Sequence, residues 1–404
     1  MKTENLNMNL TTVQEALEII LNSSENFGTE EVDFINSVGR VLKEDIVADL
    51  DFPPFNRVSM DGIAIAAEAF NKGIREFKIE DIQAAGSPQL TLQNTNNCIE
   101  AMTGAMLPKN ANVVIQYELL DIQDGVARVN LETVRDFQNI HLKGLDRIKG
   151  DILIEKNKMI SSAEIGVFAT IGKSKIKVAK QPKVMIVSTG NELVKVTETP
   201  AEHQIRRSNV YTLVSLLERL HVKAKTAHIL DDKEVLKSKI EGFLNEYDVL
   251  IFSGAVSKGK FDFIPEVLDE LGVEKLFHKV KQRPGKPFWF GKKANKTVFA
   301  FPGNPVSTFV SCLKYFYPWY SKTMSTSEEL NQAILSEDFF FKPDLTYFLQ
   351  VKLTQKEGKI YATPIAGKGS GDLANLVDSD AFLELPDDRS NFTKGEVFPL
   401  ITFR

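Results

Sequence analysis

The sequence predicts a multidomain α/β protein. A doubly wound parallel-sheet domain is expected over residues 181–325 and an inserted β-rich domain over 51–138. An N-terminal helical and linker domain is expected to be split between 1–50 and 139–180, with a small C-terminal β domain over 326–404. Three observations lead there. The chain has 404 residues, which at about 150 per domain is roughly 2.7 domains. Between 182 and 317 apolar strands run repeatedly through glycine turns into amphipathic helices, the alternation that builds a doubly wound sheet. From 74 to 138, and again after 330, short apolar runs are separated by Gly, Pro and Asn, as in β modules.

Composition agrees with a folded chain and narrows its partners. A hydrophobic fraction of 43% with 25% charged residues is ordinary for a globular protein and excludes general disorder. Lys and Arg number 49 against 54 Asp and Glu, a net charge of −5. No global basic field is present to hold a nucleic acid, although a local patch can still bind a small anion. Cys98 and Cys312 lie far apart and form neither a disulfide framework nor a CxxC motif, which fits a reducing cytoplasm. The chain shows no basic start leading into an apolar run and no stretch of about 18 apolar residues, so a soluble, unexported protein with no membrane partner is expected.

Taken in order, Val13, Ala16, Leu17, Ile20 and Leu21 recur at helical spacing after Thr11 and Thr12, predicting an amphipathic helix with a threonine cap. A second short helix is expected over 29–36. Pro53 and Pro54 then stop regular structure and place a boundary near 50. Phe77 to Ile82, Val113 to Tyr117 and Val126 to Leu131 read as strands. Ile165, Val167, Phe168 and Ile171 mark a helix that packs back onto the N-terminal region, leaving the β module as an insertion. Val184 to Ser188 is the first strand of the doubly wound domain, followed by a helix from Ser208 to Leu220. Strand Lys223 to Ile229 leads to a helix from Asp231–Asp232 to about Asn245. Strand Val249 to Phe252 precedes a helix near Asp262, and strand Val298 to Phe301 a helix after Pro302-Gly303-Asn304-Pro305. After 330 the helices stop and five strands are expected, Phe339 to Phe341, Tyr347 to Leu353, Lys359 to Pro364, Ala381 to Leu385 and Val397 to Phe403, with a hairpin turn at Glu357-Gly358.

Ligands in doubly wound sheets sit beyond the carboxyl ends of the strands. Those ends carry Thr189-Gly190-Asn191-Glu192, Asp231-Asp232, Ser253-Gly254 and Pro302-Gly303. Glu192, Asp231, Asp232 and Asp262 are hard oxygen donors on converging loops, suited to Mg²⁺ completed by a ligand phosphate; the bland alternative is that each Asp only caps a helix. Arg283-Pro284-Gly285-Lys286-Pro287 presents two cations on a stiff loop, suited to an oxyanion or, equally, to plain solvation. Met60-Asp61-Gly62 and Thr103-Gly104-Ala105 pair a polar side chain with a glycine, as in close ligand approach or in ordinary turns. There is no Walker A loop, HExxH or GxSxG motif, the five histidines are scattered, and Gly367 to Gly371 lacks dinucleotide-loop spacing.

These motifs, in this order and almost end to end, resemble the molybdopterin molybdenumtransferase family, which is similar to the E domain of gephyrin. The resemblance rests on Ser59 to Gly62, Thr103 to Ala105 with Pro108 and Glu118, Gly144 with Asp146, and Gly150-Asp151. It continues through Ser188 to Leu193, Ile205 with Ser208-Asn209, Asp231-Asp232, Ser253 to Ser257, Gly259 with Asp262, Pro284 to Pro287, Pro302 to Ser307, and Gly369 to Leu373. It implies a homodimer of four-domain subunits with a C-terminal small β-barrel and a molybdopterin-binding doubly wound domain that meets the partner's β module. It also implies the reaction, in which adenylylated molybdopterin and molybdate give molybdenum cofactor and AMP with Mg²⁺. Other cofactor-biosynthesis proteins and molybdoenzymes are implied as further partners. By the same resemblance Asp61, Thr103, Glu192, Asp262 and Lys286 are catalytic, and the metal is held by Glu192, Asp231 or Asp232, and Asp262. Asp146, Gly190, Ser208, Ser253, Gly254, Arg283, Pro287, Pro302, Ser307 and Ser370 bind substrate. The chain departs from the family pattern at Ile63 for tyrosine, Asn191 for aspartate, Ala255 for glycine and Arg283 for lysine. His141 and Gln350 replace arginines, and Leu145 replaces a glutamate. Competing readings are a non-catalytic pterin scaffold, suggested by the lost arginines, and an ATP-dependent molybdopterin adenylyltransferase.

Overall fold

The computed structural model describes residues 10–254, 262–326, 331–365, 367, 369 and 371–404. Its centre is a six-stranded sheet. In spatial order the strands are Lys225–Ile229, Val184–Thr189, Val249–Ser253, Lys296–Phe301, Trp289–Lys293 and Glu274–His278. The first four are mutually parallel, as expected. Trp289–Lys293 departs from the all-parallel expectation, pairing antiparallel with both of its neighbours, so that Glu274–His278 at the edge again runs in the direction of the first four. The cause is local: Lys293 and Lys296 face each other across a two-residue turn in which Ala294 has φ 52°, and a turn that short permits only an antiparallel return.

Burial on both faces explains the continuous apolar runs of this sheet. Val184, Ile186, Val249, Ile251, Phe299 and Phe301 point into one layer, with Val210, Leu213 and Leu217 of helix Asn209–Arg219 and the helical run from Pro305 to Met324. Met185, Val187, Leu250, Phe252, Val298 and Ala300 point into the other, against helices Lys233–Glu246 and Ile264–Glu270. The period-2 split along each strand is thus visible as two separate cores.

The N-terminal helix Val13–Asn22 forms as expected, with Thr12 and Glu15 closing a reciprocal capping box. Its buried face, Val13, Ala16 and Ile20, joins the first of those cores near Trp319. The expected helix over 29–36 is not found. Thr29–Asp33 is a strand paired antiparallel with Lys175–Ala179, followed by one 3₁₀ turn at Phe34–Asn36. The segment has no apolar helical stripe, and its partner strand lies about 140 residues away, beyond the reach of local pattern. Ile46–Val47 pairs with Ile152–Ile154 in the same way, and helix Ser162–Thr170 covers the cluster they form.

The β module is a six-stranded sheet in the order Val113–Gln116, Gly62–Ile65, Cys98–Ala101, Glu76–Gln83, Val126–Val129 and Leu120–Gln123. In the C-terminal region Thr346–Lys356 pairs with Lys359–Pro364 and with Ala381–Leu385, and Asn331–Leu335 and Val397–Thr402 complete a closed small barrel. Glu357 (φ 53°) and Gly358 (φ 73°) make the expected hairpin turn. The helices do not stop entirely at 330, since one turn forms at Asn375–Asp378. A further short strand, Gln282–Arg283, leaves the central domain and pairs in parallel with Thr346–Tyr347 of the barrel. No helix among the described residues is long and apolar enough to cross a membrane.

Candidate functional site

Strand register builds the site. Ser188 stands opposite Ser253, Ser253 opposite Phe301, and Thr189 opposite Ile229. The chain therefore leaves the sheet at one level in four neighbouring loops, and beyond them lies a cleft of ≈ 170 Å³. Ser188, Thr189, Glu192, Ser208, Asn209, Ser253, Gly254, Gly303 and Asn304 line it. Asn209, at the start of its helix, ties the loops together. Its Nδ2 donates to Gly303 O at 2.7 Å and Ser253 Oγ at 2.9 Å, with Thr308 Oγ1 at 3.3 Å. Ser208 occupies the N-cap position of the same helix, makes no side-chain capping bond and is among the residues lining the cleft.

The acidic loops divide into two roles. Asp232 accepts from Val235 N at 2.9 Å and is the N-cap of helix Lys233–Glu246. Asp231 instead faces the neighbouring loop, its carboxylate accepting from Asn191 N at 3.3 Å while its own N–H donates to Asn191 Oδ1 at 3.1 Å. Glu192 packs its carboxylate over Gly190, whose φ of +134° favours glycine and whose Cα lies where an added Cβ would displace that carboxylate. Beneath them His228 bonds through Nδ1 to Ser188, with Oγ at 3.0 Å and O at 3.2 Å. Burial, aided by the charge of Arg207, holds the His228 pKa below its ordinary value. The hydrogen bond to Ser188 O and the charges of Glu192 and Asp231 oppose that without reversing it. Among the described residues no three His, Cys, Asp or Glu side chains converge to hold a metal. Asp232 is committed to its helix, which leaves Glu192 and Asp231 as the two strand-end carboxylates that could hold a metal with further oxygens from a ligand. Asp262 lies two residues before helix Ile264–Glu270.

A second cavity of ≈ 230 Å³ includes Arg283, Pro284, Val306, Tyr347, Gln350 and Gly367 in its lining. Pro305 lines the first cavity and Val306 the second, so one helix N-terminus separates them. The cation loop is folded around buried Gln282, which donates to Pro284 O at 3.0 Å and accepts from Tyr315 Oη. Gly285 (φ +95°) packs against Gln282 and Ser311, where a side chain would not fit. Arg283 and Lys286 are exposed, and neither forms an ion pair among the described residues. Neighbouring Lys281, by contrast, is held by Asp344 and Asp387, each at 2.8 Å. Ser307 is buried beneath this loop rather than presented on it, and Pro302 is buried with its carbonyl accepting from Thr308 Oγ1 at 2.5 Å. Gln350 is buried with its Oε1 accepting from Asn375 Nδ2 at 2.8 Å. Ser370 and residues 255–261 lie outside the described residues.

Asp61, Thr103 and Asp146 form a third group, and none of them lines either cavity. Asp61 Oδ1 accepts from Thr103 N at 2.6 Å, and that backbone bond, with one from the Thr103 hydroxyl, holds its carboxyl below the usual range. Asp146 Oδ1 lies 2.9 Å from His141 Nε2. The sequence reading missed Arg207, His228 and Thr308 around the first cavity and Tyr347 in the second. Arg207 had a signal, as the residue just before the Ser208-Asn209 pair.

Parallel strands opening onto a polar cleft, with a closed barrel beside it, define a multidomain α/β ligand-binding protein. The matching family models are the MoeA N-terminal region (domain I and II) over residues 11–172, a probable molybdopterin binding domain over 185–321, and the MoeA C-terminal region (domain IV) over 332–403. The chain belongs to the MoeA family. It is 41% identical over 398 residues, 96% of this chain and 99% of the relative, to a Synechocystis protein named molybdopterin molybdenumtransferase. A Staphylococcus epidermidis protein of the same name is 30% identical over 400 residues, covering 96% and 95% of the two chains. The crystal structure of the molybdopterin biosynthesis MoeA protein from Pyrococcus horikoshii superposes with a TM-score of 0.83 at 30% identity, covering 98% of this chain and 99% of that one.

Proposed function

We propose that this chain inserts molybdate into adenylylated molybdopterin with release of AMP, the final step of molybdenum cofactor biosynthesis. The observation that carries this reading is the pair of cavities on either side of the Pro305 helix end, one lined by hydroxyls, the Asn209 amide, Glu192, Arg206 and Arg207, the other by Arg283. The first suits the nucleotide and pyrophosphate, with Ser208, Ser253 and Gly254 as hydrogen-bonding wall. The second suits the oxyanion, with Arg283 and Lys286 supplying positive charge and Pro287 stiffening the loop. Mg²⁺ held by Glu192 and Asp231 and completed by substrate oxygens would neutralise the phosphoanhydride link as it breaks, with Asp262 kept from the family pattern as a further catalytic carboxylate. Ser370 is retained from the family pattern as a substrate contact.

A homodimer belongs to the same reading, because Asp61, Thr103 and Asp146 line neither cavity and need a second subunit to reach one. Val47 and Ile152, opposite each other in register, are exposed together with Leu50, Leu145 and Ile148, an apolar patch suited to a second copy. Mass measurement in solution tests it, and a monomer would refute it. The division at about residues 50, 138, 180 and 325, a cytoplasmic location and transfer of product to molybdoenzymes complete the proposal. The free, buried thiols of Cys98 and Cys312 support the location.

The decisive experiment incubates the protein with adenylylated molybdopterin, Mg²⁺ and molybdate. Molybdate-dependent release of AMP is expected, and Glu192→Ala or Asp262→Ala should abolish it with the fold intact. Tight pterin binding without AMP release would favour a scaffold instead, a reading favoured by the neutral Gln350–Asn375 contact.

A further inference from the structure

Three buried polar atoms around the first cavity have no hydrogen-bond partner among the described residues: Thr189 Oγ1, Arg207 Nε and His228 Nε2. Thr189 and Arg207 both line the cleft. Arg207 is anchored by its backbone, its N–H donating to Val194 O at 3.0 Å, immediately before helix Asn209–Arg219. Its neighbour Arg206 spends its Nε on Glu198 O at 3.0 Å. Arg207 has no such bond, and it forms no ion pair with Glu192 on the same wall. A guanidinium held part-buried beside a cavity, with a donor unmatched, is costly unless a ligand completes it.

We infer that Arg207 is the phosphate-recognising residue of this cleft, holding a nucleoside monophosphate by a charge-assisted hydrogen bond, whereas Arg206 on the same wall already spends its Nε on Glu198 O. This rests on the nucleotide reading of the first cavity and deepens it. It gives the cleft a fixed cation of its own, so phosphate binding is partly independent of a divalent metal. Arginine suits the role because its planar fork matches phosphate oxygens and its charge does not titrate.

The test is titration calorimetry of the full-length protein with AMP and with adenosine, in EDTA and again with Mg²⁺. In EDTA the wild type should bind AMP roughly ten- to a hundredfold more tightly than adenosine, the range of one hydrogen bond to a charged group. Arg207→Gln should bring AMP down to the adenosine affinity and leave adenosine unchanged, and Arg207→Lys should restore part of the preference. Equal binding of the two ligands by the wild type overturns the inference. So does a preference that survives in Arg207→Gln, including the case where that variant only melts earlier, which would mark Arg207 as structural. Failure of both ligands to bind, with or without Mg²⁺, overturns the inference and the nucleotide reading together. Binding of adenosine without preference for AMP overturns the inference alone.

Discussion

Gly190→Ala isolates the role of the acidic loop. A Cβ built at Gly190 falls 2.5 Å from Glu192 Oε2 and 2.7 Å from Oε1, against an ordinary contact of 3.4 Å or more. The carboxylate must therefore retreat by roughly 1 Å, and as the far end of a flexible side chain it can do so at little cost in stability. The stability loss comes instead from the backbone, where φ +134° is poorly tolerated by alanine and costs about 1–3 kcal/mol. Function should suffer more, since a misplacement of about 1 Å at a reacting centre can cost about a hundredfold in rate. Molybdate-dependent AMP release should fall by that order, with a higher Mg²⁺ concentration needed for half-maximal rate. Gly28→Ala is the control, because Gly28 also has a positive φ (+86°) but open space around it. It should lose stability and keep full activity. A Gly190→Ala enzyme with unchanged rate and unchanged Mg²⁺ dependence would refute the assignment of Glu192.

Asp232→Ala should cost about 0.5–2 kcal/mol through loss of the cap on helix Lys233–Glu246 and leave AMP release intact. Asp231→Ala should do the reverse, and equal rates in the two variants would contradict the division of roles. Gly166→Ala and Gly242→Ala fall in helices, at exposed positions with nothing within 4 Å of a new Cβ. Each should stabilise by about 0.5–1 kcal/mol, additively because the helices belong to different cores, as urea midpoints would show. Glu164 is desolvated by burial, yet hydrogen bonds from Ser161 and Lys158 carry its pKa down to about 2. A folded pKa below the unfolded value means stability that is complete above about pH 4.5 and is lost as pH falls toward about 2. Glu164→Gln should flatten the acid limb of a stability–pH curve measured by urea unfolding, and an unaltered limb would contradict this.

The parts of the fold that were legible in the sequence are those whose cause is local. Strands buried on both faces announce themselves as apolar runs, and capping residues such as Thr12 and Asp232 mark helix starts by chemistry within one turn. Thr29–Asp33 was not legible because its strand character comes from Lys175–Ala179. The antiparallel strand of the central sheet, Trp289–Lys293, was hidden in Ala294-Asn295, which carries none of the usual turn glycines. At the site, spacing identified the strand-end loops but not their inventory of partners. Asp231 and Asp232 are chemically identical in sequence, and what separates them is the capping bond of one to Val235 and the pairing of the other with Asn191. Arg207 and His228 were passed over because an unpaired buried donor is a property of the folded surroundings.

The departures from the family pattern at Arg283 and Gln350 are physically connected. Gln282 and Arg283 leave the central domain to pair with Thr346 and Tyr347, so the barrel strand that carries Gln350 also fixes the height of the cation loop. Tyr347 stacks on Phe341 at 4.2 Å, and the Arg283 guanidinium lies 5.8 Å from that same ring. An arginine can rest its flat face on such a wall and still direct donors into the cavity, which lysine does less well. Gln350 meanwhile turns its oxygen to Asn375 and closes the barrel side without charge. Among the described residues that line the second cavity, positive charge is thereby concentrated on Arg283. Removing Arg283 should for that reason weaken molybdate binding more in this chain than in a relative that keeps a second arginine across the cavity.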